Sequence, residues 1–151
     1  MHRMKPDIEA LAQSILTYSM DRLRMDPPSI DHPLPQTALE ERAGQTITRE
    51  GLGGQRALEL FIDTLAPACI SEDHPRYLAF VPTAPSEVST LFDLIVGASN
   101  ICASSWLEGA GAIYAENQAL RWIADIAGLP EDAGGVFVSG GTAGNLSALV
   151  A

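Results

Sequence analysis

Apolar residues recur at helical spacing in four stretches of this chain, and the breaks between them are rich in proline and glycine. From Asp7 to Met25, Ile8, Leu11, Ala12, Ile15, Leu16 and Leu23 fall on one stripe, and Pro6 suits a helix's first turn. The spacing predicts an amphipathic opening helix whose apolar face needs a partner. Pro27 to Pro35 then holds four prolines in nine residues, which predicts an extended arm; it either carries the helix onto another subunit or hugs its own surface. Thr37 and Glu40 have capping-box spacing and predict a short helix there. Helical periodicity returns from Gln55 to Leu65 through Leu58, Leu60, Phe61 and Leu65, and from Ser86 to Ile101 through Val88, Leu91, Phe92, Leu94, Ile95 and Ala98. Ile113 to Ala127 carries Leu120, Trp122, Ile123 and Ile126, with Gly128 placed as the C-terminal cap before Pro130. The chain has no internal repeat and no low-complexity tract.

At residue 136 the pattern changes. Val136, Phe137 and Val138 read as a buried parallel strand, a double glycine breaks it, and Leu146, Leu149 and Val150 then recur at helical spacing. The turn between strand and helix has the layout of a phosphate cradle. The first backbone N–H groups of a helix lack intrahelical partners and the helix dipole adds partial positive charge, so an anion is held without lysine or arginine. Gly140 and Gly141 let the backbone approach closely, and the Thr142 hydroxyl adds a donor. The turn has neither the Gly-Lys-Ser/Thr ending of a P-loop nor the three-glycine fingerprint of a dinucleotide fold. Glycine turns also join strands to helices in many α/β domains that bind nothing there, so the turn alone does not decide.

The chain has 151 residues, 46% of them hydrophobic and 19% charged, which argues for a packed core rather than disorder. Its last residues, Asn145 to Ala151, are small and apolar without a terminating cap, and the expectation is an N-terminal piece of a longer protein. A net charge of −10 leaves no basic patch for nucleic acid or an anionic membrane surface. No apolar run reaches bilayer length and the start is not a signal peptide, so a cytoplasmic location with no membrane partner is expected. Cys69 and Cys102 lie in apolar helical patterns and read as reduced core cysteines. His2, His32 and His74 are scattered without a second ligand at metal spacing, so no metal is expected.

The helix ending Trp122-Ile-Ala-Asp-Ile-Ala-Gly-Leu-Pro130, followed by Gly134-Gly-Val-Phe-Val-Ser-Gly-Gly-Thr-Ala-Gly-Asn145, resembles the pyridoxal-phosphate-dependent group II decarboxylases. So does His74-Pro-Arg-Tyr-Leu-Ala-Phe-Val-Pro-Thr-Ala-Pro-Ser86, which is similar to a segment of the aromatic-L-amino-acid decarboxylase branch. The resemblance covers essentially the whole chain. It implies an α/β protein of the fold type I transferase-like class, with residues 1–84 as a helical N-terminal extension and residues 85–151 as the incomplete start of the cofactor-binding large domain. It also implies a homodimer with a shared active site, an amino-acid substrate, pyridoxal 5′-phosphate as cofactor, and a carbon–carbon lyase reaction that releases carbon dioxide through a Schiff-base quinonoid intermediate.

By position, Gly140, Gly141 and Thr142 match the family residues that hold the cofactor phosphate. Tyr77, Phe80, Val81, Pro82 and Thr83 match the segment beside the substrate side chain, although spacing alone reads Tyr77 and Phe80 as core. The chain departs from the family at Cys102 and Ser104, where a larger apolar residue and an aromatic one are usual, and at Leu107 to Gly111, which replaces a proline-containing turn. Trp106 matches the family tryptophan, with no catalytic role carried onto it. The family's Schiff-base lysine, pyridine-pairing aspartate and ring-stacking histidine all fall after the phosphate turn. The only lysine here is Lys5, which reads as a solvated charge in a mobile segment, so the 151 residues alone are expected to be inactive, with the remainder in the same or another chain. Two alternatives stand beside this reading: another fold type I enzyme of transaminase or phosphate-ester lyase type, and a non-catalytic truncated homologue that dimerises or binds a partner.

Overall fold

The computed structural model describes residues 4–81 and 83–151. Six α-helices occur among them: α1 (Pro6–Leu23), α2 (Gln36–Ala43), α3 (Gly54–Leu60), α4 (Glu87–Ser99), α5 (Trp106–Ile126) and α6 (Gly141–Val150). The chain divides into two compact units, Met1–Ser89 and Thr90–Ala151.

In the first unit, α1 begins with Pro6 in its first turn, carries Asp7 and Glu9 there, and has Arg22 in its last turn. This order suits the fixed φ of proline and the helix dipole. Ser14, Thr17 and Ser19 return their hydroxyls to the carbonyls of Ala10, Gln13 and Ile15, so these polar residues are satisfied without leaving the helix. α1 packs on α3, where Gly54 leaves room for Leu11; a β-carbon at Gly54 would overlap the Leu11 side chain. After Leu60, which is buried, the helix widens into a π turn over Phe61–Leu65 and tightens into a 3₁₀ turn over Ala66–Ala68. The helical expectation for Gln55–Leu65 thus holds in type but not in regularity. α2 packs on the π turn, and the Tyr18 ring meets Phe61 edge-on at 5.9 Å and 84°.

One expectation for this unit is corrected, and the choice left open for the proline arm takes one side. α2 starts at Gln36 with Pro35 as N-cap, so Thr37 sits inside the first turn and no side chain caps it. The capping box therefore does not form, and Gln36 Nε2 instead donates to Glu40 Oε1 at 2.7 Å. The proline arm has no regular structure, and it hugs its own unit: the Asp31 N–H donates to Ser71 Oγ at 3.0 Å. Ser71 is buried, and Arg22 Nη2 grips the Asp73 carboxylate at 2.7 Å beside it.

In the second unit, α5 is the longest element and starts seven residues before the expected Ile113. Its extra turn is set off by Gly109, whose φ of −133° and ψ of 33° break the helical geometry. Gly128, at φ +67°, closes the other end as expected: its N–H reaches the Asp125 carbonyl at 3.1 Å while the Leu129 N–H reaches Ala124 at 2.9 Å. This pair of bonds is a Schellman motif, and the left-handed φ is why glycine stands there.

Val136–Val138, expected as a strand, takes part in no ladder among the described residues. A strand exists only by pairing, and no second extended segment is described beside it. Leu60 and Ala124 are the buried apolar side chains among the described residues. Cys69 and Cys102 are free thiols as expected but exposed, so neither is a core residue. In α4, Val88, Phe92, Leu94, Ile95 and Val96 are all exposed, the pattern of a helix apolar around its circumference, which water does not favour.

Candidate functional site

The glycine turn occupies the start of α6. Gly140 is the N-cap, extended at φ 166° and ψ 168°, and Gly141 is the first helical residue. The first bond of the helix runs from the Gly144 N–H to the Gly140 carbonyl at 3.1 Å. The N–H groups of Gly141, Thr142 and Ala143 thus precede the intrahelical ladder and lack helical acceptors. No acidic residue stands in the first turn to oppose an anion. Positions where β-carbons of residues 140 and 141 would lie have nothing within 4 Å, and Thr142 is exposed, so a phosphate can approach the three amides and the hydroxyl directly.

Ahead of this turn, α5 holds the connecting segment through a residue that motif reading missed. Arg121 Nη1 donates to the carbonyls of Glu131 at 2.6 Å and Pro130 at 3.1 Å, while its Nε and Nη2 hold Asp125 Oδ1 at 2.9 and 2.6 Å. The planar fork of the guanidinium serves the helix and the following turn at once. Arg121 and Asp125 stand four apart on a helix, which is the signal that was available; the carbonyl acceptors left none. Next along the chain, a β-carbon at Gly135 would sit 3.1 Å from Leu120 Cδ2, and one at Gly144 would sit 3.4 Å from Val138 Cγ2.

The segment from His74 to Thr83, expected from the resemblance to lie beside a substrate, belongs to the first unit. Tyr77 is half-buried; its N–H donates to the His74 carbonyl at 2.8 Å, and the Arg76 N–H donates to His74 Nδ1 at 3.1 Å. The Tyr77 hydroxyl is occluded and finds no hydrogen-bond partner among the described residues. Its removal from water, with a smaller contribution from the charge of Glu72, pushes its pKa up. It lines a cavity of about 290 Å³ with Ile30, Asp31, Ser71, His74 and Arg76.

Phe80 and Val81 are instead 85% and 98% exposed, which corrects the reading of Phe80 as core. Phe80 also holds φ at +57°, a left-handed conformation uncommon for an aromatic residue. Thr83 lines a second cavity of about 880 Å³ with Ala84, Pro85, Tyr18, Phe61 and Ile70. Pro82 lies outside the described residues. The structure therefore places Tyr77 and Thr83 on cavities that share Asp31, Ile70 and Ser71, and presents Phe80 and Val81 on the surface.

Ahead of α5, Cys102 Sγ lies 3.3 Å from Ser104 Oγ, and the hydroxyls of Ser104 and Ser105 donate to Glu108 Oε2 at 2.8 and 2.9 Å. These hydroxyls favour the charged form of Glu108 and hold its pKa below the usual carboxylate range; Ser104 likewise lowers the Cys102 thiol. Trp106, the first residue of α5, is exposed. Lys5 is exposed as well, at the N-cap of α1, where its carbonyl accepts the N–H groups of Ile8 and Glu9. Among the described residues no group of three or more histidine, cysteine or acidic side chains is placed to hold a metal, and no helix is long and apolar enough to cross a membrane.

Over 138 residues, 91% of its length, the chain is 28% identical to an aromatic-L-amino-acid decarboxylase of Bacillus atrophaeus. The chain is similar to amino-acid decarboxylases. An L-2,4-diaminobutyrate decarboxylase of Acinetobacter baumannii is 28% identical over 99 residues, 66% of the chain. These matches span 28% and 19% of the two relatives' own lengths. No family model and no solved structure matches the chain.

Proposed function

We propose that this chain carries the phosphate cradle and the substrate-side segment of a pyridoxal-phosphate-dependent decarboxylase of L-amino acids, in the fold type I class. The observation that carries the reading is the free first turn of α6, with Gly140, Gly141 and Thr142 unobstructed, in a chain similar to two amino-acid decarboxylases along most of its length. The cofactor's phosphate fits this turn: three unengaged amides and one hydroxyl meet a dianion at the positive end of a helix dipole. When bound, pyridoxal phosphate supplies the electron sink that lets an amino acid lose its carboxylate as carbon dioxide.

The residues here bind and orient. Gly141, Thr142 and Ala143 donate N–H groups, the Thr142 hydroxyl donates a further bond, and Gly140 keeps the approach open. Tyr77, Phe80, Val81, Pro82 and Thr83 supply the apolar and aromatic surface for the substrate side chain in a homodimer with a shared site. Lys5, exposed at the N-cap of α1, is given no covalent role in this reading.

The test is an intact mass spectrum of the natively isolated protein after borohydride reduction. A phosphopyridoxyl adduct is expected on the polypeptide that contains these residues. In the complete enzyme Thr142→Ala then weakens cofactor binding by about 1–2 kcal/mol, the scale of a hydrogen bond to a charged group. Absence of an adduct, together with no spectral response to added pyridoxal phosphate, refutes the reading.

A further inference from the structure

We infer that Arg121 is a positioning residue for the phosphate cradle, an inference that rests on the cofactor reading above. Ten residues, Leu129 to Val138, separate the Gly128 cap from Ser139 and the glycine pair. Among the described residues that stretch makes two backbone hydrogen bonds, Leu129 N–H to Ala124 and Ala133 N–H to Pro130 at 3.0 Å, and both lie at its beginning. Beyond Ala133 the path runs close to the side chain of Leu120 and carries that of Val138 onto α6.

Arg121 fixes the carbonyls of Pro130 and Glu131. The preceding residue, Leu120, closes on Gly135, where a β-carbon would come within 3.1 Å of its Cδ2. Val138 then packs on Gly144 in the first turns of α6, at 3.4 Å from a β-carbon there. Consecutive residues of one helix thus seat both ends of the segment 130–135, and Val138 passes that placement to the helix whose first amides would hold the phosphate.

The guanidinium suits this task because it is shared. Asp125 Oδ1 takes Nε and Nη2, which orients the plane of the fork and leaves Nη1 for the carbonyls. A lysine at the same position keeps the charge pair with Asp125 but has one nitrogen, which cannot occupy the Asp125 and carbonyl positions together. Charge retention and clamp retention are therefore separable by substitution.

The experiment compares the intact protein with its Arg121→Lys and Arg121→Met variants, using Arg56→Met as control; Arg56 is exposed and pairs only at 3.4 Å with Glu59, in the first unit. Two readouts apply: titration with pyridoxal phosphate followed by its absorption, and backbone hydrogen exchange over residues 134–144. In both Arg121 variants cofactor affinity should fall about tenfold or more, the scale of a lost hydrogen bond to a charged group, and exchange over 134–144 should quicken, while Arg56→Met changes neither. Arg121→Lys retains the helix-surface ion pair, so it decides the matter if Arg121→Met does not fold. Wild-type affinity or wild-type exchange in Arg121→Lys overturns the positioning role and leaves the cofactor reading standing. Failure of the wild-type protein itself to bind pyridoxal phosphate overturns the cofactor reading, and this inference with it.

Discussion

Gly109 offers a sharp test of how α5 is built. A β-carbon there would lie 2.6 Å from the Cys102 carbonyl oxygen and 2.7 Å from Ala103 Cα, and the residue is buried. Both obstacles are backbone atoms, so no rotamer change relieves the clash, and the chain must separate residues 102–103 from the kink. The backbone at φ −133° is open to any residue, so the cost of Gly109→Ala is steric. Overpacking of this kind costs about 1–3 kcal/mol, which lowers Tm by about 2–12 °C in a domain of this size. The neighbouring Gly111 provides the contrast: it lies in the same helix, and a β-carbon there meets nothing within 4 Å. Gly111→Ala should therefore stabilise by about 0.5–1 kcal/mol through helix propensity alone. Thermal unfolding of the two variants, followed by circular dichroism beside the parent protein, should give shifts of opposite sign. A Gly109→Ala protein as stable as the parent, or a shift shared in sign with Gly111→Ala, refutes the close packing of α5 on residues 102–103.

Other outcomes follow from single groups. Hydrogen bonding and ion pairing with Arg22 lower the Asp73 pKa, so its contribution to stability is present above the unfolded-state value near 3.9 and is lost as pH falls through the lower folded value. Asp73→Asn should consequently lose stability at neutral pH, by at most about 1 kcal/mol for a pair this accessible, and show a flatter acid limb in Tm against pH. Ser104→Ala removes the hydroxyl that lowers both Glu108 and Cys102; alkylation of Cys102 near neutral pH, followed by mass spectrometry, should slow, because the thiolate fraction falls. Tyr77→Phe deletes an occluded hydroxyl that has no partner among the described residues, so its Tm should equal or exceed the parent's; a clear drop would mean the hydroxyl is hydrogen-bonded in solution.

The helices were legible because their signals are local. Pro6, the stripe from Ile8 to Leu23, and Gly128 before Pro130 mark α1 and the end of α5 where the structure has them. Composition left the course of the proline arm open, and it misplaced one helix cap. The arm from Pro27 to Pro35 lies on its own unit because Ser71, forty residues on, accepts the Asp31 N–H, and nothing in the composition of the arm encodes that acceptor. Thr37 and Glu40 had the right spacing for a box, but Pro35 ahead of them admits helical geometry from Gln36, and the cap position moved off the threonine.

The proposed cradle and its proposed support were unequally readable for a related reason. Gly140, Gly141 and Thr142 announce themselves because the free amides of a first turn are a property of any helix start, and glycine is what leaves them uncovered. Arg121 acts on carbonyls, which every residue carries, so its targets at Pro130 and Glu131 have no side-chain signature; only the pair with Asp125 shows in sequence. Phe80 was misread as core for the opposite cause: its type suggested burial, whereas its left-handed backbone turns the ring outward with Val81. An aromatic residue held at positive φ and exposed gains nothing for the stability of its own unit. Its exposed ring is open to a ligand, as the proposed substrate-side role of Phe80 requires.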